Sequence, residues 1–192
     1  IVYSAKEGQN DYKTKFAIFG FQYALIETDI EWKPEDFTAI AVYSDMEETL
    51  TFDCSHSLIN RFVENTRWSA KNNHADVPTD CPTRERHGWT GDAQIFCDTA
   101  AYFFDYTSFA RKYLRDMCDG RRRNGVFRQI TPMGGIDFYM NAMDGSAGWS
   151  DAGVLIPYRI YKKYGDIRIL EENYEAMHKY ALFKIKSIGR HY

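Results

Sequence analysis

Cysteine is scarce in this chain, and none of it is paired by spacing: Cys54, Cys81, Cys97 and Cys118 form no CxxC unit. That excludes a thioredoxin-like motif and leaves no zinc-site signature. The thiols read as reduced, buried residues of a cytoplasmic protein. Proline is also sparse, at 5 of 192 residues, which leaves long stretches free to form helix. No apolar run approaches the ~18 residues needed to span a bilayer, and no signal peptide is visible. The chain opens at Ile1 rather than Met, so secretion stays open and the chain reads as beginning within something longer. Positive charge is not in excess either. A net charge of −3 argues against a polyanion partner, because nucleic-acid domains carry a clustered basic surplus. The one basic cluster, Arg121-Arg122-Arg123, is followed by Asn124-Gly125 and reads as a helix C-terminus and turn. No internal repeat or low-complexity tract is present.

Aromatic residues are abundant: 14 Tyr, 13 Phe and 4 Trp make up 16% of the chain. Any single ring is most simply core filling, but the total suits a surface on which sugars or other rings stack. The length holds either one domain with a sizeable core or one small domain plus part of a larger one.

Two kinds of pattern succeed each other. Phe16–Phe19, Phe21–Ile26, Phe37–Tyr43 and Thr49–Phe52 are short, aromatic and β-branched with polar punctuation, the signature of strands. The pattern changes at Cys54-Ser55, where Ser55 or Ser57 can cap a helix with apolar residues at Leu58, Ile59, Phe62, Val63 and Trp68. Helical spacing predicts helices near 57–72, 91–104, 107–120, 151–164 and 168–187. Between the third and fourth lies an irregular stretch from Asn124 to Gly148, whose Phe138, Tyr139 and adjoining Trp149 disfavour disorder. Short-linked helices with loops gathered at one end suggest an α/α toroid, which needs about a dozen helices in all.

The segment Asp76-Val-Pro-Thr-Asp80-Cys-Pro-Thr-Arg84-Glu85-Arg86-His87-Gly88-Trp89-Thr90-Gly91-Asp92 holds most of the chemistry. Its prolines and glycines prevent a continuous helix, while Trp89 and the apolar run after it tie the segment to a packed body. Acids, arginine and tryptophan together suit glycoside hydrolysis. Carboxylates protonate the leaving oxygen or activate water, and aromatic faces stack on the C–H side of a sugar.

These residues resemble the bacterial α-L-rhamnosidases, the inverting glycoside hydrolases with an (α/α)6-barrel catalytic domain (glycoside hydrolase family 78). The resemblance rests on an ordered series: Ser44-Asp-Met-Glu-Glu-Thr49, Phe52-Asp-Cys-Ser55, Trp68-Ser-Ala-Lys-Asn-Asn73, Asp76 to Arg86, Gly88-Trp-Thr-Gly-Asp-Ala-Gln94, and Gly148-Trp149 with Asp151-Ala152. It implies a mainly α fold with an N-terminal β portion: the tail of a β-sandwich (residues 1–54) followed by the first half of an (α/α)6 barrel (residues 55–192). It implies removal of terminal α-L-rhamnose with inversion from a rhamnose-containing glycoside or oligosaccharide. Glu85 matches the general acid, and Asp80, Arg84, Trp89, Asp92 and Trp149 match residues lining the sugar subsite. The general base is then a glutamate on a later barrel loop beyond Tyr192, so the 192-residue chain alone is expected to be an inactive piece of the enzyme. No metal, cofactor, nucleic acid or membrane is implied, and a homodimer of the full-length enzyme remains open. Leu50 departs from the family's usual Gly, and His74-Ala75 from a more apolar pair.

The chemistry fits the residue types. Asp80 and Asp92 would hold a proton on Glu85, whereas Arg84 and Arg86 push the other way. Arg84 is therefore assigned to sugar hydroxyls and Arg86 to structural pairing. Plainer readings stand beside these: an ion pair for Glu85, helix capping for Asp80 and Asp92, core for Trp89, surface positions for His74 and His87, and barrel core for Trp68 and Tyr102-Phe103-Phe104. Two other classes of function compete with an active enzyme, namely a catalytically dead portion with residual sugar binding and a protein-interaction module built on an exposed half-barrel.

Overall fold

The chain's architecture comes from a computed structural model, which describes residues 1–135 and 141–188. Among the described residues five helices carry it: α1 (Ser57–Asn72), α2 (Thr90–Phe103), α3 (Thr107–Gly120), α4 (Ala152–Tyr164) and α5 (Arg168–Ile188). The helical spacing in the sequence places all five within two residues of these limits. Helix α4 is the centre, packed against α2, α3 and α5. Ala93, Cys97 and Ala100 of α2, Tyr113, Leu114 and Met117 of α3, Ile156 and Ile160 of α4, and Ile169 and Tyr180 of α5 fill one continuous core. Small residues on α2 let α4 approach closely, and Gly153 of α4 goes further: a Cβ there would lie 2.2 Å from the Phe127 ring. Helix α4 ends at Gly165, whose φ of 73° is left-handed, the conformation that lets a chain turn directly out of a helix.

Helix α1 stands apart from this core. Neither serine caps it; His56 occupies the cap position without a side-chain bond. The chain's entry is fixed instead by Asn60, whose side chain accepts from Cys54 N at 2.9 Å and donates to Asp53 Oδ1 at 2.7 Å. After α1 a two-residue antiparallel pair forms, β1 (His74–Ala75) with β2 (Val77–Pro78). Asp76 makes the turn with φ 71°, a position its short polar side chain tolerates. Residues 44–50 strap α1 to α2. Ser44 N donates to His74 O at 2.7 Å, Thr49 N to Phe103 O at 2.8 Å, and Glu48 pairs with both Arg67 and Lys71.

The strands expected between Phe16 and Phe52 do not form among the described residues. The segment is coil with a 3-10 turn at Pro34–Asp36 and a single bridge from Glu48 to Phe104. Its apolar side chains face water, with Phe16 98% and Leu25 88% exposed. β propensity expresses the fit of a side chain to a covered, pleated surface, and nothing here covers one. Two other expectations also change. Trp68 is not core but 42% exposed, with Lys71 Nζ 5.0 Å above its ring. Of the aromatic run, Phe103 and Phe104 are buried while Tyr102 points outward.

The irregular stretch after α3 is pinned by buried polar groups. The Asp144 carboxylate, 1% exposed, accepts from Arg122 Nε at 2.7 Å and from Gln129 N at 3.2 Å. Ser150 Oγ donates to Phe127 O at 2.6 Å. Phe138 and Tyr139 lie outside the described residues. No described helix is long and apolar enough to cross a membrane, and the four cysteines are free thiols.

Candidate active site

The acidic loop is held at its C-terminal end. Gly88 O accepts from Tyr113 Oη at 3.0 Å and from Thr131 N at 2.8 Å, and Thr90 N donates to Gln129 O at 2.8 Å. Trp89 therefore sits between two clamped residues, bridged to Ile130, and its carbonyl accepts the first helical bond of α2 from Ala93 N at 3.1 Å. Only glycine fits before it, since a Cβ on Gly88 would lie 1.9 Å from Thr131 O.

Glu85 lies exposed four residues earlier, and its Oε2 accepts from Trp89 Nε1 at 2.8 Å. Its partner is thus an indole N–H and not an arginine. Arg86, in a left-handed conformation with φ 53°, turns away and donates to Ile18 O at 2.8 Å. Arg84 is exposed beside Glu85 in the chain. Asp80 shapes the loop: its Oδ1 accepts from His87 N at 3.0 Å, and its own N donates to His87 O at 3.1 Å.

Asp92 lies in the first turn of α2. Partial burial lifts its carboxyl above the ordinary range, its own backbone N–H opposes the rise, and the negative charges of Asp80 and Glu85 add to it. Asp92 therefore lies close enough to Asp80 and Glu85 to feel their charge at the start of the helix. Trp149 lies on the same end of α2. Its indole covers Gly91, where a Cβ would come within 2.8 Å of the ring, and the loop behind it is tied to α2 by Gln94 Nε2 donating to Gly148 O at 3.2 Å.

A cavity of about 260 Å³ opens beside these groups, lined by Asp80 and Asp92 with Ser69, Asn73, Thr79 and Phe96 among others. Glu85, Arg84, Trp89 and Trp149 are not in its wall. Ser69, Asn73 and Thr79 were not singled out from the sequence; their signal is that Ser69 and Asn73 precede the acidic loop, and Thr79 lies in it, within the motifs that carry the resemblance.

His74 also borders this cavity, and it is buried, not a surface residue. Its Nδ1 lies 2.7 Å from Ala70 O, and its Nε2 3.0 Å from Tyr106 Oη. A carbonyl can only accept, so the proton sits on Nδ1 and Nε2 accepts from the tyrosine. Burial pushes the imidazole down to about 4, against the pull of the Ala70 carbonyl. The native state thus keeps His74 neutral while an unfolded chain protonates it near pH ~6.5. Stability is full above that value and falls as pH drops toward about 4. Between pH 7 and pH 5 the loss is roughly 2 kcal/mol. Urea midpoints should fall accordingly, and much of that fall should vanish in His74→Asn; an unchanged acid slope in the variant would contradict this.

Among the described residues no cluster of His, Cys, Asp and Glu is arranged to hold a metal.

With this geometry in place, comparison with known proteins is decisive. The model of the bacterial alpha-L-rhamnosidase 6 hairpin glycosidase domain matches residues 47–189. The chain belongs to this family. It is 36% identical over 182 residues to an alpha-L-rhamnosidase of Formosa agariphila, covering 93% of this chain and 19% of that protein. It is 33% identical over 180 residues to an alpha-L-rhamnosidase of Streptomyces avermitilis, covering 92% of this chain and 17% of that protein. The crystal structure of the Streptomyces avermitilis alpha-L-rhamnosidase complexed with L-rhamnose superimposes with a TM-score of 0.70 at 34% identity, over 75% of this chain and 14% of that one. That of Dictyoglumus thermophilum gives 0.69 at 38% identity, over 75% and 16%. The chain therefore spans less than a fifth of the length of these rhamnosidases, and its described helices are those of a six-hairpin glycosidase domain.

Proposed function

We propose that this chain supplies the acid half of the active site of an inverting α-L-rhamnosidase. The observation that carries the reading is the Glu85 carboxyl, tethered by Trp89 at 2.8 Å, inside the matched domain. Glu85 gives its proton to the glycosidic oxygen as the C1–O bond breaks with its electron pair on that oxygen. Water adds to C1 from the opposite face and passes a proton to a second carboxylate. The products are the free aglycone alcohol and L-rhamnose of inverted anomeric configuration, with the enzyme's acid and base restored by proton exchange with solvent.

The second carboxylate must stand roughly 6.5–9.5 Å from the first to admit that water. In this reading it is a glutamate outside these residues, so the activity is that of a longer polypeptide. Asp80, Arg84 and Asp92 bind ring hydroxyls. Trp89 and Trp149 meet the apolar face and methyl group of the 6-deoxy sugar. The apolar residues of Phe16–Phe52 are the end of a β-sandwich whose remaining strands lie outside the chain, which accounts for rings left facing water here. A rhamnose-bearing glycoside is the partner. The test is hydrolysis of an aryl α-L-rhamnoside by the longer polypeptide, and failure of the folded protein to release the aryl alcohol overturns the reading.

A further inference from the structure

We propose that Trp89 is the positioning residue of the acid: its indole N–H fixes the Glu85 carboxyl and determines which of the two oxygens carries the transferable proton. The inference rests on Glu85 being the general acid, and extends that reading from the acid to the group that aims it.

The two side chains are held very differently. Glu85 is exposed, on a loop whose nearest restraint is Glu85 N donating to Cys81 Sγ at 3.2 Å. A glutamate so placed has three rotatable bonds and no packing to choose among rotamers. Trp89 is fixed at its backbone by the bridge to Ile130, by the bond from its N to His87 O at 2.9 Å and by the start of α2. The hydrogen bond from Nε1 to Oε2 therefore transfers the position of a clamped residue to a loose one. They stand four positions apart in the chain, yet the loop between is not helical, so the contact is made by the fold and not by helical spacing.

The chemistry of the donor matters as much as its place. An indole N–H donates and never accepts, so Oε2 must present a lone pair to it. In the protonated acid the carbonyl oxygen is the stronger acceptor, so this bond makes Oε2 the carbonyl and favours the hydrogen on Oε1. The donor is also uncharged. A guanidinium in the same place would favour the carboxylate and draw the proton off. Of the charged neighbours, Arg86 is turned to Ile18 O. Asp80, on the loop, and Asp92, on α2, are negative, and Arg84 and His87 flank Glu85 in the loop. The indole orients the acid without adding a cation to this set.

The experiment compares Trp89→Phe with the parent in the longer polypeptide, on methyl α-L-rhamnoside and on 2,4-dinitrophenyl α-L-rhamnoside. The methoxide leaving group needs the proton; dinitrophenolate departs without it. Phenylalanine keeps an aromatic face and removes the donor. Expected is a fall in kcat of about 100-fold on the methyl glycoside, the order that misplacing a catalytic group costs. On the dinitrophenyl glycoside kcat should fall at least about tenfold less, and any change in KM, since Trp89 also faces the sugar, should be shared by the two substrates. Equal losses on both substrates, or a loss confined to KM, overturn the proposal, because a purely structural or sugar-stacking role gives those patterns. If Trp89→Phe does not fold, β-(benzothiophen-3-yl)alanine at position 89 keeps the shape and replaces N–H by sulfur, with the same expected outcome. Glu85→Gln is run in parallel. Should it hydrolyse the methyl glycoside at the parent rate, the acid assignment fails, and this proposal falls with it; should it be inactive while Trp89→Phe is unimpaired, only the positioning role fails.

Discussion

Glu85→Gln in the longer polypeptide is expected to lower kcat on an alkyl α-L-rhamnoside by about 10³-fold or more, at the upper end of what general acid catalysis contributes. Affinity for L-rhamnose should stay within a few-fold. The substitution is close to isosteric, and the Gln Oε1 can still accept from Trp89 Nε1, so the 2.8 Å contact need not be lost. What disappears is the acidic proton. Asp92 cannot take over without a rearrangement, because its place in the first turn of α2 faces the cavity it shares with Asp80. Steady-state rates with a rhamnose titration by calorimetry separate the two effects. Retained turnover with weakened binding would reverse the roles, making Glu85 a sugar ligand.

Gly88→Ala is expected to be the most damaging small substitution in the chain. A Cβ there would lie 1.9 Å from Thr131 O and 2.9 Å from Thr131 C. The obstacle is backbone, and it is itself bonded to Gly88 through Thr131 N. Relief requires parting the strap that places Trp89, and would pull Gly88 O from the buried Tyr113 hydroxyl. A loss of about 3 kcal/mol follows from overpacking together with a broken buried hydrogen bond. Gly120→Ala, with nothing within 4 Å of the added carbon, is the control and should be neutral or slightly stabilising. Equal urea midpoints for the two variants would contradict the clamp.

Helices were legible in the sequence because their signal is local. The periodic apolar residues of α2 to α5 report the face each helix buries, whereas those of α1 announce the helix but stay largely exposed, with Leu58 and Phe62 among them. The strands of Phe16–Phe52 show the opposite case: the residues carry β character, but pairing needs partners that local sequence does not specify. The acidic loop stands out in the sequence as a candidate site, since carboxylates, arginine and tryptophan rarely crowd together on a solvated loop. How it is held is not legible there. The Gly88–Thr131 contact joins residues 43 positions apart, and no pattern around Thr131 announces it. His74 misleads in a similar way. A histidine among polar neighbours reads as surface, and only the fold shows Tyr106 and the Ala70 carbonyl satisfying both ring nitrogens. The Trp89–Glu85 bond needed the fold as well, because the four-residue spacing implies a facing pair only on a helix, and this segment is not one.

The most direct test of the account is release of nitrophenol from 4-nitrophenyl α-L-rhamnoside by two folded polypeptides: residues 1–192 alone, and the same chain continued along its reading frame. Release is expected from the longer polypeptide only, because in the proposed division Glu85 supplies the proton and the carboxylate that activates water lies outside these residues. Release by residues 1–192 alone would contradict the division of the site, and release by neither would contradict the rhamnosidase reading.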